Sequence, residues 1–247
     1  MSYIYGVGPV LEALRASQRK IDRIIVADGL DRKRFAQLME QARAAGVQIR
    51  REPRAALDRL AGGANHQGVI AMTSTIGYAD ADDLTASAGP GTLLVLLDGI
   101  EDPHNLGAII RTAECAGAAA VVIPERRAAQ VTETVVKTSA GATEHLPVAR
   151  VTNLATYIEK LKQSGFWVVG VDPAARMAYT EYDYQGPTAL VFGAEGHGLH
   201  RLILDKCDVT VSIPMRGQIQ SLNVSVTVGV VLFEAVRRRT INSKPAR

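Results

Sequence analysis

The run TLLVLLD, Thr92 to Asp98, constrains the fold more than any other stretch of the chain. A strand with no polar face has nothing to offer water. It therefore fits at the centre of a sheet covered on both sides, which is the setting of parallel α/β sheets. The chain beyond it keeps the same alternation: a helix from about Leu106 to Ala116, the strand AAVVIP, a helix near Ala129 to Ala140, then LPVAR. A helix from Asn153 to Ser164, the strands FWVVGVD and ALVFG, a helix near Leu199 to Lys206 and the strand VTVSIPM come next. The segment VSVTVGVV alternates like a strand, but Leu222, Val226, Gly229, Val230, Phe233 and Val236 keep helical spacing. Arg237, Arg238 and Arg239 suit the negative end of such a helix, so the pattern predicts a last helix starting near Ser221. Residues 91–247 read as one parallel-sheet α/β domain.

Residues 1–78 alternate on a smaller scale. Val10 to Ala16 reads as a short helix, IDRIIVAD as a strand, DRKRFAQLMEQARAAG as a helix ending at Gly46, VQIRR as a strand, AALDRL as a helix and GVIAMTS as a closing strand. Between the two parts, residues 79–90 are rich in Asp, Ala, Ser and Gly and read as an acidic, flexible linker.

Net charge becomes informative only when divided along the chain. The total of +3 is too balanced for a tail-driven nucleic-acid binder, and 47% hydrophobic residues exclude a disordered chain. Residues 1–78 hold 12 Lys/Arg against 7 Asp/Glu, residues 79–90 three Asp, and residues 91–247 hold 16 against 15. The basic excess lies in the first part, where Arg32, Lys33, Arg34, Arg50, Arg51, Arg54 and Arg59 fall at element ends or on polar faces. They form either a solvated surface or a phosphate-contacting patch. Aromatic residues are only 5%, which disfavours binding by base stacking on a sheet. Cys115 and Cys207 stand apart with no metal-ligand spacing, so neither a disulfide framework nor a metal site is expected. No signal peptide or membrane span is read, and a cytoplasmic location is expected.

Three loops carry the polar residues, each after a strand. In the first, Asp98 to Arg111, Pro103 stops the strand and Asn105 is placed to cap a helix beginning at Leu106. On that helix Leu106, Ile109, Ile110 and Ala113 make one stripe, and Arg111 lies about 140° from Leu106 at ~100° per residue, off the core face. The second loop, Val191 to Gly198, spaces three glycines as G-x-x-G-x-G, which lets backbone approach a ligand closely. This is neither the dinucleotide fingerprint nor a P-loop. Glu195 inside it would repel phosphate and suits a cationic or hydrogen-donating ligand. In the third, Ile213 to Val226, Ser221 and Asn223 sit at the mouth of the last helix as caps or as substrate contacts. All three leave the carboxyl side of strands, where open α/β sheets bind ligands.

Taken together these loops resemble the three motifs of the SpoU, or TrmH, branch of the SPOUT RNA methyltransferases. The matches are D-P-x-N-x-G-x-x-x-R at Asp102 to Arg111, F-G-x-E-G-x-G at Phe192 to Gly198, and S-I-P-M-x-G-x-x-x-S-L-N-V-S-V at Ser212 to Val226. YGVGPVLEAL and NHQGVIA in residues 3–78 resemble the family's small α/β RNA substrate-binding domain. The resemblance implies a deep trefoil knot in the C-terminal domain, a feature that sequence arguments otherwise reject. It also implies S-adenosyl-L-methionine as cofactor, a homodimer, and an RNA partner with neither DNA nor membrane. Gly193, Ile213 and Leu222 match the family's cofactor-contacting positions, with Ala194, Gly196 and Met215 as neighbours. Arg111, Asn105, Glu195, Ser221 and Asn223 match its catalytic positions, and Arg50, Arg51 and Arg54 are the expected RNA-docking residues. Arg111 matches the residue assigned there as base. Because arginine stays protonated in proteins, holding a phosphate and stabilising a developing alkoxide is an equally good role. Within the family the chain is most similar to enzymes that methylate a guanosine 2′-oxygen in the 23S rRNA P loop of the peptidyl-transferase centre. A tRNA ribose methyltransferase and a non-catalytic RNA-binding protein of the same fold are the alternatives.

Overall fold

The computed structural model describes residues 2–16, 20–29, 35–74, 77–194 and 198–242. They divide into two compact units, one of residues 1–77 with 130–145, the other of residues 78–129 with 146–247.

In the first unit β1 (Ser2–Tyr5), α1 (Val7–Ala16), β2 (Ile21–Ala27), α2 (Ala36–Ala44), β3 (Gln48–Glu52), α3 (Arg54–Ala61) and β4 (Val69–Thr73) succeed one another in order. The sheet runs β1-β4-β2-β3, with β2 and β3 parallel and the other pairs antiparallel. Alternation along β2 separates two cores. Ile24 and Val26 pack with Val10, Leu14 and Leu38 on the side of α1 and α2. Ile25 and Ala27 pack with Leu57 and Ala61 of α3 on the other. The sequence pattern contains no sign of β1, because four residues become a strand only by pairing with β4, Ser2 opposite Thr73.

The second unit begins where composition predicts a flexible linker. Residues 79–90 instead contain the short helix α4 (Ala81–Ala86). Asp80 caps it by accepting from the N–H groups of Asp82 and Asp83. Tyr157 donates to the Ala81 carbonyl, Lys160 pairs with Asp82, and Leu84 packs on the unit's core. The acidic run that suggests a solvated tether is a cap with a negative first turn, which the helix dipole favours.

Next come β5 (Leu93–Asp98), α5 (Pro103–Cys115), β6 (Ala120–Pro124), α6 (Glu133–Thr138), β7 (Val148–Val151), α7 (Leu154–Gln163) and β8 (Trp167–Val171). The chain ends with β9 (Met177–Ala178), β10 (Thr188–Gly193), α8 (Arg201–Leu204), β11 (Val209–Ser212) and α9 (Val224–Asn242). The seven strands run β7-β6-β5-β10-β8-β11-β9, every pair parallel. β5 is buried along its whole length, as its apolar run predicts. Truncating a central residue such as Leu96 to Ala would cost about 2–5 kcal/mol. α6 belongs to the first unit: Val136 joins its core, and Glu133 accepts from the Tyr3 N–H.

The arginines expected to complement the dipole of α9 do more specific work. Arg237 and Arg238 pair with Glu234. Arg239 donates to the carbonyls of Tyr184, Gly186 and Gly91 at 2.8, 2.8 and 2.6 Å, which fastens the end of α9 to the amino ends of β5 and β10. No helix among the described residues is long and apolar enough to cross a membrane.

Candidate active site

The chain runs outward from β5 in one direction and from β10 in the other, so these adjacent strands form the switch point of the sheet. Their ends lie in register, Gly193 beside Asp98. Open parallel sheets leave a crevice at such a point, because the connections on its two sides depart in opposite directions.

The first loop builds one wall. Asp102, not Asn105, caps α5, accepting from the His104 N–H at 2.8 Å, and Pro103 takes the first helical position. The expected start at Leu106 is thus corrected by three residues, since an Asp-Pro pair forms a cap that Asn105 cannot displace. Relieved of that task, Asn105 accepts from the side-chain amide of Asn223 at 3.0 Å. Leu106, Ile109, Ile110 and Ala113 are fully buried, and Arg111 is exposed off that stripe, as spacing predicts.

In the second loop the first glycine also serves the fold itself. A Cβ on Gly193 would stand 2.0 Å from the carbonyl carbon and oxygen of Gly198 and 2.3 Å from the Leu199 nitrogen. Gly193 is therefore needed where the protein's own backbone crosses it, before any ligand is considered. Ala194 accepts from the Gly198 N–H, and Gly198 turns the chain at φ +65°. Glu195 and Gly196, assigned to catalysis and cofactor binding, lie outside the described residues, as do Arg32, Lys33 and Arg34.

In the third loop Asn223 caps α9. Its side-chain oxygen accepts from the N–H and hydroxyl of Ser225, and its carbonyl from the Thr227 N–H. The helix starts at Val224, three residues beyond the position expected from the pattern. Ser221 and Leu222 precede the cap. With Gly193, Ala194, Ile213 and Met215 they line one cavity of about 620 Å³, which Phe192 and Asp172 complete.

A second cavity of about 460 Å³ opens between Asn105, Glu101, Arg127 and His200, and Ala194 and Val224 line both cavities. Arg111 lines neither. His200, Asp98 and Arg127 are site residues that motif reading missed. The signal for Asp98 was present, a carboxylate closing an otherwise apolar strand. Burial pushes the Cys207 thiol up to about 12, which opposes formation of the thiolate. No group of three or more His, Cys, Asp or Glu that could hold a metal occurs among the described residues.

The three expected RNA-docking arginines are exposed but do not share one face. Arg50 stands beside Ile25, on the α3 side of the sheet, and Arg51 beside Val26, on the opposite side. Arg54 opens α3 and belongs with Arg50.

The larger cavity lies within the size range of small-molecule sites. Its walls are apolar at Phe192, Ile213, Met215 and Leu222, and Asp172, Ser212, Gln220, Ser221 and Thr227 add polar groups, of which Asp172 is the one charged side chain. That set fits a ligand with an apolar part and a positive charge. Fold and site together define an α/β domain that holds a small ligand over the strand ends of a parallel sheet.

A model described as the SpoU rRNA Methylase family matches residues 92–233, and one described as RNA 2′-O ribose methyltransferase substrate binding matches residues 3–79. The chain belongs to the SpoU rRNA methylase family. It is 44% identical over 240 residues, 96% of each chain, to YacO of Bacillus subtilis (strain 168), named provisionally as a TrmH family tRNA/rRNA methyltransferase. It is 41% identical over 242 residues, 97% of each chain, to the 23S rRNA (guanosine-2′-O-)-methyltransferase RlmB of Xylella fastidiosa (strain 9a5c). The crystal structure of the SpoU methyltransferase AviRb from Streptomyces viridochromogenes with AdoMet superposes with a TM-score of 0.81. It is 27% identical and covers 97% of this chain and 90% of that one.

Proposed function

We propose that the chain is an S-adenosylmethionine-dependent methyltransferase acting on the ribose 2′-hydroxyl of a guanosine in 23S rRNA, within the P loop of the peptidyl-transferase centre. The observation that carries this reading is the convergence at one switch point of two adjoining cavities, one fitted to the cofactor and the other opening beside Asn105. When bound, the cofactor supplies an electrophilic methyl group on a sulfonium that leaves as a neutral thioether.

The protein's own residues do the rest. Gly193, Ala194, Ile213, Met215 and Leu222 enclose the cofactor, and Asp172 complements its positive charge. Asn105 and Asn223, joined by their hydrogen bond, hold the first and third loops at a fixed separation, so that hydroxyl and methyl carbon meet in line. Ser221 contacts the reactants from the cavity wall. Arg111 holds the target phosphate and stabilises the oxygen as its proton leaves.

Because Arg111 lines neither cavity of its own chain, the active site is completed by a second copy. The support is an exposed apolar stripe on α9: Val226 and Phe233, seven residues apart and each 50% exposed, on a helix packed against α5. A deep trefoil knot in residues 91–247 goes with this reading. Residues 3–79 dock the RNA, and the enzyme works in the cytoplasm.

The test is transfer of labelled methyl from S-adenosylmethionine to an unmodified 23S rRNA transcript, with nucleoside analysis of the product. We expect 2′-O-methylguanosine at a single P-loop position. Label on tRNA alone would replace the substrate, and absence of cofactor binding at millimolar concentration would overturn the reading. Phe233→Glu should yield a monomer by sedimentation.

A further inference from the structure

Asp98 ends a strand of leucine and valine and is only 7% exposed. One of its oxygens accepts from both the backbone N–H of His200, at 2.8 Å, and the ring Nδ1, at 3.0 Å. With Nδ1 engaged by this carboxylate, Nε2 is the remaining polar atom of the ring. Yet the imidazole is 59% exposed. Gly99, in the left-handed region at φ +77°, lies so close that a Cβ there would come within 3.3 Å of the ring's Cε1. Burying a carboxylate and immobilising an exposed side chain both oppose folding. A residue needed only to begin α8 requires neither.

The ring faces the cavity of about 460 Å³, which adjoins the proposed cofactor cavity at Ala194 and Val224. Arg127 lines it from a backbone at φ +55°, a conformation that opposes folding and clusters at ligand sites. Ile100, Ala194 and Val224 provide an apolar wall. An imidazole held in one orientation, a guanidinium and an apolar wall match the three parts of a nucleotide: hydrogen-bonding edge, phosphate and base face.

Resting on the methyltransferase reading above, we propose that this cavity seats the acceptor nucleotide. Its base lies against Ile100, Ala194 and Val224, Arg127 holds one of its two flanking phosphates while Arg111 holds the other, and His200 Nε2 hydrogen-bonds the nucleoside. Asp98 is a positioning residue acting through His200.

Methyl transfer to the unmodified 23S rRNA transcript is measured for wild type, His200→Ala, His200→Gln, Asp98→Asn, Arg127→Gln and the Asp98→Asn/His200→Ala double variant. S-adenosylmethionine affinity is read by calorimetry. His200→Ala should raise KM for RNA about tenfold, the effect of one lost hydrogen bond, with kcat and cofactor affinity within about twofold of wild type. His200→Gln, which restores a polar group without the clamp, should recover part of that loss. Asp98→Asn should raise KM about threefold alone and add nothing to His200→Ala, because its effect passes through the ring. Arg127→Gln should raise KM and reduce the salt slope of RNA binding by about one. An unchanged KM in His200→Ala, a loss confined to kcat, or full additivity in the double variant would overturn the proposal while leaving the methyltransferase reading intact. If wild type itself transfers no methyl group, that reading fails and this one with it.

Discussion

The two units are built from the same strand–helix alternation and place their polar residues in opposite ways. In the second, seven parallel strands send their carboxyl ends to one edge, so polar groups far apart in sequence converge over β5, β10 and β11. In the first, antiparallel pairing sends strand ends both ways, and Arg50 and Arg51 fall on the edge strand β3, where alternation divides them between two faces. Chemistry needs groups within a few ångströms of one atom, whereas phosphate docking tolerates dispersed charge. The difference in sheet direction therefore predicts where single substitutions are severe and where they are mild.

The largest effect should come from Arg111→Ala. If this exposed arginine serves only the transition state, kcat falls by about a thousandfold or more, with cofactor affinity and sedimentation unchanged. Near-normal turnover would remove it from the mechanism.

Gly193→Ala should be the most damaging backbone change at the cavity. Its methyl group has no space beside Gly198, so about 3 kcal/mol or more of stability should be lost in urea unfolding, together with cofactor binding.

Asn223 separates two functions within one side chain. Asn223→Ala loses the α9 cap and should cost about 1 kcal/mol as well as activity. Asn223→Asp keeps the cap acceptor but cannot donate to Asn105, so stability should be retained while kcat falls. Equal activity in Asn223→Asp and wild type would show the bond to Asn105 to be irrelevant to turnover.

For the first unit, the combined Arg50→Gln and Arg54→Gln variant should weaken RNA binding about threefold to tenfold and flatten its salt dependence, with kcat unchanged. Arg51→Gln, on the other face, should do less. If Arg51 proves the stronger contact, the docking surface is the α1 and α2 side.

An effect that leaves turnover at neutral pH untouched is alkaline. Burial holds the folded Cys207 thiol near 12 against an ordinary value of 9.0, so the unfolded chain ionises first as pH rises. Its contribution to stability is complete below pH 9 and declines between about 9 and 12. The difference between wild type and Cys207→Ala in urea unfolding at about pH 8 and about pH 10.5 reads it, and a pH-independent difference would contradict the burial.

Much of this contrast between the units is legible in the residues. The apolar run of β5 announces a doubly covered sheet, and the stripe on α5 puts Arg111 on the outside. The departures share one cause. β1 exists only through β4, residues 79–90 fold only because β7 and α7 lie beside them, and α6 leaves the sequence neighbourhood of β6 and β7 to pack in the first unit. Local spacing allows Asn105 to be a cap. The nearer Asp102-Pro103 pair claims that task and leaves Asn105 to bond a residue 118 positions away.

By itself the sequence determined the periodicities, and with them the alternation, the buried strands and the identity and order of the three polar loops. Those signals are local, because side-chain direction repeats every two residues in a strand and about every 3.6 in a helix. The tertiary structure alone decided that β5 and β10 end side by side, that Asn105 meets Asn223, and that Asp98 meets His200. These are matters of strand order and excluded volume between distant segments, and no local pattern encodes them.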